Sequence, residues 1–200
     1  DVEAVMIEPT TIAIQSCSRA ELCEEDTLLI LGYGALGSSI LKIARLSGAK
    51  IIVADVIEEK LHEALKNGAD YVIAQEDVIE KVKELTAGYG VTVSIDAACV
   101  NDSLLTLLKA TGNAGRVITM GFAVEPTEIN QFLITSKELD VRGSRLQNKK
   151  FQEAIDLIQE GKLDLSGTVS HVYPIEKAQE AFDFVDSKDP SIRKVVLTFK

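Results

Sequence analysis

Residues 28–55 read LLILGYGALGSSILKIARLSGAKIIVAD: an apolar run, a Gly32-x-Gly34-x-x-Gly37 turn, an amphipathic stretch, and a second apolar run stopping on an acid. Glycines at this spacing are common in turns and carry little weight alone. Here they stand between a strand pattern and a helix pattern, and Asp55 comes 18 residues after the last of them, the order a dinucleotide-binding unit uses. Gly32 permits the tight turn, Gly34 lets a pyrophosphate approach the backbone, and Gly37 lets the helix pack closely on the strand. Ala35, Leu36 and Gly37 open the helix. Its free N–H groups and positive dipole end would face the phosphates. Asp55 would accept hydrogen bonds from both adenosine ribose hydroxyls and repel a 2′-phosphate, so the expected cofactor is NAD rather than NADP. FAD and S-adenosylmethionine domains share the early part of this pattern. A plain strand–helix turn with a solvated acid is the blander reading.

Working outward, strand and helix patterns alternate. An apolar helix is expected over residues 4–20, with Pro9 tolerated in its first turn. Strands are expected at 28–31, 51–54, 71–74, 91–96, 115–120 and 139–141. Helices are expected after the glycine turn, with Leu36, Ile40, Ile43 and Ala44 on one face, and at 58–66, 78–85, 103–111 and 150–160. This predicts an α/β Rossmann fold. Its doubly wound sheet has six parallel strands in the order 3-2-1-4-5-6, with the ligand at the switch point. The tail changes character. Residues 170–174 read as extended. Residues 175–185 read as an amphipathic helix with Ala178, Ala181, Phe182 and Val185 on one face, and 194–199 as a closing strand. The division expected is a connecting helix at 1–26, a cofactor domain at 27–165 and a returning segment at 166–200.

The formal net charge of −10 over 200 residues argues against nucleic acid as a partner. No apolar run approaches the roughly 20 residues of a membrane span. Cys17, Cys23 and Cys99 make neither a disulfide framework nor a CxxC site, which points to reduced thiols and a cytoplasmic setting.

These residues together resemble the medium-chain dehydrogenase/reductase family, in its zinc-dependent polyol and sugar-acid branch. The likeness runs nearly end to end. It begins with Ile7-Glu8-Pro9 before a helix, then the glycine turn, Asp55 with Lys60, and Gly68-Ala69-Asp70. It continues through Asp96 leading into Ala97-Ala98-Cys99, the 115–121 strand, His171-Val172-Tyr173-Pro174, Ala181-Phe182 and Lys194-Val195-Val196. Within the branch, Gly143-Ser144-Arg145-Leu146 and Asn148-Lys149-Lys150-Phe151 look most like bacterial L-galactonate-type sugar-acid dehydrogenases.

The resemblance implies that this chain is the cofactor half of a larger enzyme. A GroES-like domain of roughly 150 residues would supply the catalytic zinc ligands and proton relay. It implies hydride transfer between an alcohol, polyol or sugar-acid substrate and NAD, with zinc polarising the alcohol. Glu8 would lie next to the zinc; a helix-start Glu complementing the macrodipole is the plain alternative. Lys60 would lie against the ribose as a point charge. Cys99, Met120, Gly121, Phe122 and Ser144 would line the cofactor site, although Cys99 reads equally as a small buried apolar residue. Arg145 would sit beside the substrate, where a guanidinium could bind a carboxylate. His62 reads as a solvated surface residue and His171 as structural. An open sixth-strand edge implies a homodimer or homotetramer. Two rivals remain: a stand-alone dinucleotide sensor, and a zinc-free quinone reductase, whose usual NADPH preference Asp55 opposes.

Overall fold

Leu28, Leu29, Ile30 and Leu31 are all fully buried, as a strand covered on both faces requires. They belong to β1 (Thr27–Leu31) in a computed structural model that describes residues 2–122, 124–187, 189 and 191–199. The first helix, α1 (Ile7–Ala20), follows a 3-10 turn over Val2–Met6. After β1 come α2 (Ala35–Ala44), β2 (Lys50–Asp55), α3 (Glu58–Lys66), β3 (Tyr71–Ala74) and α4 (Val78–Leu85). The second half is β4 (Val91–Asp96), α5 (Ser103–Ala110), β5 (Thr111–Thr119), α6 (Phe132–Thr135), β6 (Asp140–Gly143) and α7 (Phe151–Gln159). The six strands pair in parallel in the order β3-β2-β1-β4-β5-β6, as expected.

Alternation along each strand divides the core in two. Leu28, Ile30, Ile51 and Val53 face one cluster with Ile14 of α1, Ile40 of α2 and Ala154 of α7. Leu29, Leu31, Ile52 and Ala54 face the other, with Val82 of α4 and Leu107 of α5. α1 packs as a layer of the first core through Ala13, Ile14 and Ala20.

A polar clamp fixes the end of α1. Nη1 of Arg116 on β5 donates to the carbonyls of Ala20 and Glu21 at 2.7 and 2.9 Å. Its Nη2 pairs with the buried carboxylate of Asp26. Asp26 also accepts the Cys23 N–H at 3.0 Å and the Thr92 hydroxyl at 2.7 Å. Removing one partner of such a pair strands a buried charge, so Arg116→Met is expected to cost about 3 kcal/mol. Urea unfolding checks this: the midpoint should fall with the slope unchanged.

Several boundaries differ from the sequence expectation. β5 starts at Thr111 rather than 115, with a register shift between Val91 and Val93. Thr111 is drawn into the sheet because its hydroxyl bonds Ser94 at 2.8 Å and the Leu107 carbonyl at 2.7 Å. β6 is displaced to Asp140–Gly143, and Leu139 instead closes the α6 turn, donating to the Ile134 carbonyl at 3.1 Å. The one-turn α6 carries no clear periodic signal. In the tail, β7 (His171–Pro174) and β8 (Val195–Thr198) form a separate parallel pair joined through α8 (Ala178–Asp186). Of the apolar face expected on α8, Ala181 is buried, whereas Phe182 and Val185 are exposed.

Candidate dinucleotide site at the C-terminal edge of the sheet

The chain leaves β1 and turns sharply at Gly32, whose φ is +96°. Its N–H donates to the Ala54 carbonyl at 2.7 Å, fastening the turn to β2. A Cβ on Gly32 would stand 2.7 Å from the Ala98 backbone nitrogen, and one on Gly37 would collide with the Gly32 carbonyl oxygen. A Cβ on Gly34 would meet nothing within 4 Å. The three glycines therefore do different work. Two allow close packing, while Gly34, the N-cap of α2, faces open space and has no side-chain cap there. The first N–H groups of α2 are left for a ligand, and an anion fits that place.

Asp55 is buried at 6% exposure. Its Oδ2 accepts the Tyr33 N–H at 2.6 Å and its Oδ1 accepts the Ile57 N–H at 2.9 Å. The acid thus holds the glycine loop and the start of α3 together, a role the sequence did not reveal. Each carboxylate oxygen keeps a further lone pair.

A narrow crevice opens beside this loop, lined by Tyr33, Gly34, Ser38, Lys60, Glu63, Ile192 and Arg193. Lys60 lines this crevice together with the glycine loop. Arg193 was missed, because it is distant in sequence. The available signal was a cation directly before the closing strand at Lys194-Val195-Val196.

On the other side of the switch point, the ends of β4, β5 and β6 gather the remaining candidates. Asp96 accepts the Cys99 N–H at 2.8 Å and the Ser103 hydroxyl at 2.6 Å. Burial pushes the Asp96 carboxyl above its ordinary range. Cys99 has φ +54°, and burial, helped by the Asp96 charge, pushes its thiol up to about 11. It is a neutral thiol at pH 7, which fits a packing role better than a reactive one. A Cβ on Gly121 would lie 3.9 Å from the Cys99 Cα, so the two loops meet. Met120 is buried, Phe122 is exposed, and the Arg145 guanidinium lies 4.6 Å from the Phe122 ring centre. Ser144 is 6% exposed, and its hydroxyl has no hydrogen-bond partner among the described residues.

Glu8 stands exposed in the first turn of α1. His62 is exposed, and His171 bonds Ser170 through Nδ1 at 3.0 Å and packs edge-on against Phe184. Among the described residues no three His, Cys, Asp or Glu side chains converge on a metal position. Nor is any helix among them long and apolar enough to cross a membrane. The residues present fit a dinucleotide, and they do not by themselves form a zinc centre.

The family described as zinc-binding dehydrogenase matches residues 35–160. The starvation-sensing protein RspB of Escherichia coli is 34% identical over all of this chain, which covers 59% of that protein. A sorbitol dehydrogenase from Bombyx mori is 32% identical over 92% of this chain and 55% of its own length. Among solved structures, a short chain alcohol dehydrogenase (rspB) from Escherichia coli, complexed with the cofactor NADH, superposes with a TM-score of 0.93. It is 33% identical, and the match covers 100% of this chain and 60% of that one. An L-idonate 5-dehydrogenase from Escherichia coli gives a TM-score of 0.89 at 26% identity, over 98% of this chain and 57% of that one. The chain therefore spans somewhat over half the length of the relatives it matches.

Proposed function

This chain belongs to the zinc-binding dehydrogenase family, and we propose that it is the NAD(H)-holding part of a zinc-dependent polyol or sugar-acid dehydrogenase. The observation that carries this reading is the Gly34 cradle with Asp55 bonded to its Tyr33 N–H. The N–H groups of Ala35, Leu36 and Gly37 bind the pyrophosphate. Asp55 orients the adenosine ribose through its remaining lone pairs and excludes a 2′-phosphate. Lys60 and Arg193 supply positive charge along the crevice. The backbone of Met120, Gly121 and Phe122, with Cys99 and Ser144 behind it, walls the nicotinamide end. When bound, NAD supplies the hydride acceptor for a secondary alcohol.

A GroES-like domain, contacted by the 1–26 and 166–200 segments, provides the zinc ligands, with Glu8 beside the metal. Arg145 faces the substrate, and a carboxylate is the group its planar fork fits. Pairing of β6 edges across a two-fold axis makes a homodimer or half of a homotetramer, in the cytoplasm. The stand-alone sensor reading has no observation in its favour.

Joined to that domain, the chain should oxidise polyols or sugar acids with NAD and lose this activity to a chelator. The chain alone should bind NADH and turn nothing over. Robust zinc-dependent oxidation by the chain alone would overturn the division of labour.

A further inference from the structure

An ion pair crosses the crevice, and its carboxylate, Glu63, takes no part in the reading above. Nε of Arg193, from the closing segment, lies 2.8 Å from Oε1 of Glu63 on α3. Nη1 of Arg193 donates to the Gly167 carbonyl at 2.9 Å, and its backbone N–H donates to the Ser170 hydroxyl at 3.0 Å. Glu63 is itself held: Nδ2 of Asn67 donates to it at 3.3 Å and to the Tyr33 hydroxyl at 2.9 Å. Tyr33 is the residue between Gly32 and Gly34, with its N–H on Asp55. Burial pushes the Tyr33 phenol above its ordinary range, so it stays protonated. One run of hydrogen bonds thus joins the glycine loop, α3 and the closing segment.

The guanidinium is rigid and planar, with donors on two edges. Glu63 and Gly167 take Nε and Nη1; Nη2 has no hydrogen-bond partner among the described residues. The crevice that Arg193 lines also holds Gly34, Ser38 and Lys60. We propose that Glu63 is a positioning residue that holds Arg193 at Nε so that its Nη2 meets the phosphates of a dinucleotide lying on Gly34. This rests on the dinucleotide reading of the crevice. The Arg193 side chain is 42% exposed, so the pair adds little to folding. Its effect should appear in binding.

The test is NADH fluorescence titration of the full chain and its variants, with thermal midpoints recorded alongside. Arg193→Ala should weaken NADH about tenfold, since a charged hydrogen bond is lost. Glu63→Ala should weaken it about three- to fivefold with an unchanged midpoint, and Glu63→Gln, which keeps the acceptor, should stay within about twofold of wild type. The double alanine variant should bind no worse than Arg193→Ala, because Glu63 acts only through Arg193. Unchanged or tighter binding by Glu63→Ala, or additive losses in the double variant, would overturn the positioning role. If Arg193→Ala leaves NADH affinity unchanged, or the unaltered chain binds no NADH, the reading of the crevice fails first and the proposal with it.

Discussion

Replacing Gly37 by alanine is expected to reduce NADH affinity about a hundredfold, about 2.7 kcal/mol, the scale of one or two lost hydrogen bonds to a charged phosphate. The added Cβ would run into the Gly32 carbonyl oxygen, which is backbone and cannot swing aside. Relief requires α2 to move off β1. The N–H groups that α2 offers then leave the place where the phosphates would lie. The same overpacking should cost about 1–3 kcal/mol of stability. Gly34→Ala separates the two effects. Its Cβ would meet nothing within 4 Å in the free protein, so the melting temperature should hold while NADH binding falls. If Gly34→Ala bound NADH as well as the parent, the open space at α2 would not be the phosphate site.

Asp55→Ala carries the second large effect. NADH should bind at least tenfold more weakly, a loss of about 1.4 kcal/mol or more. The bias against NADPH should relax at the same time, because the charge that opposes a 2′-phosphate is gone. The variant also frees the Tyr33 and Ile57 N–H groups that Asp55 holds. Part of the NADH loss would therefore come from a loosened loop. The ratio of NADPH to NADH affinity is the cleaner readout, since both ligands meet the same loop. A ratio unchanged in Asp55→Ala would remove Asp55 from the ribose site.

The sheet was legible because its signals are local. Leu28–Leu31 and Ile51–Ala54 are continuous apolar runs, as strands buried on both faces must be, and the glycine turn sets the crossover between them. The sequence marks the ends of Glu58–Lys66 and Val78–Leu85 because Asn67-Gly68 and the Gly88/Gly90 turns stop them cleanly. What could not be read depends on distant contacts. Thr111 enters β5 through hydrogen bonds to Ser94 and Leu107. Phe182 and Val185 follow a helical period, yet stand exposed because no described element covers that face.

The candidate site divides in the same way. Gly32, Gly34, Gly37 and Asp55 are legible because their local spacing is what marks the candidate site. Arg193 was not, since 138 positions separate it from Asp55 (193 − 55) and only folding brings it beside Gly34. Glu63 reads in sequence as one more charge on a solvated helix. Its partner Arg193 is what gives it meaning.

The most direct test of the account is a pair of calorimetric titrations of this protein, one with NADH and one with NADPH, at the same pH and salt. The account predicts a saturable NADH isotherm and NADPH binding at least about tenfold weaker, the margin a single well-placed carboxylate can supply. Equal affinities would contradict the role given to Asp55. Absence of binding by either would contradict the claim that the cradle around Gly34 is a dinucleotide site.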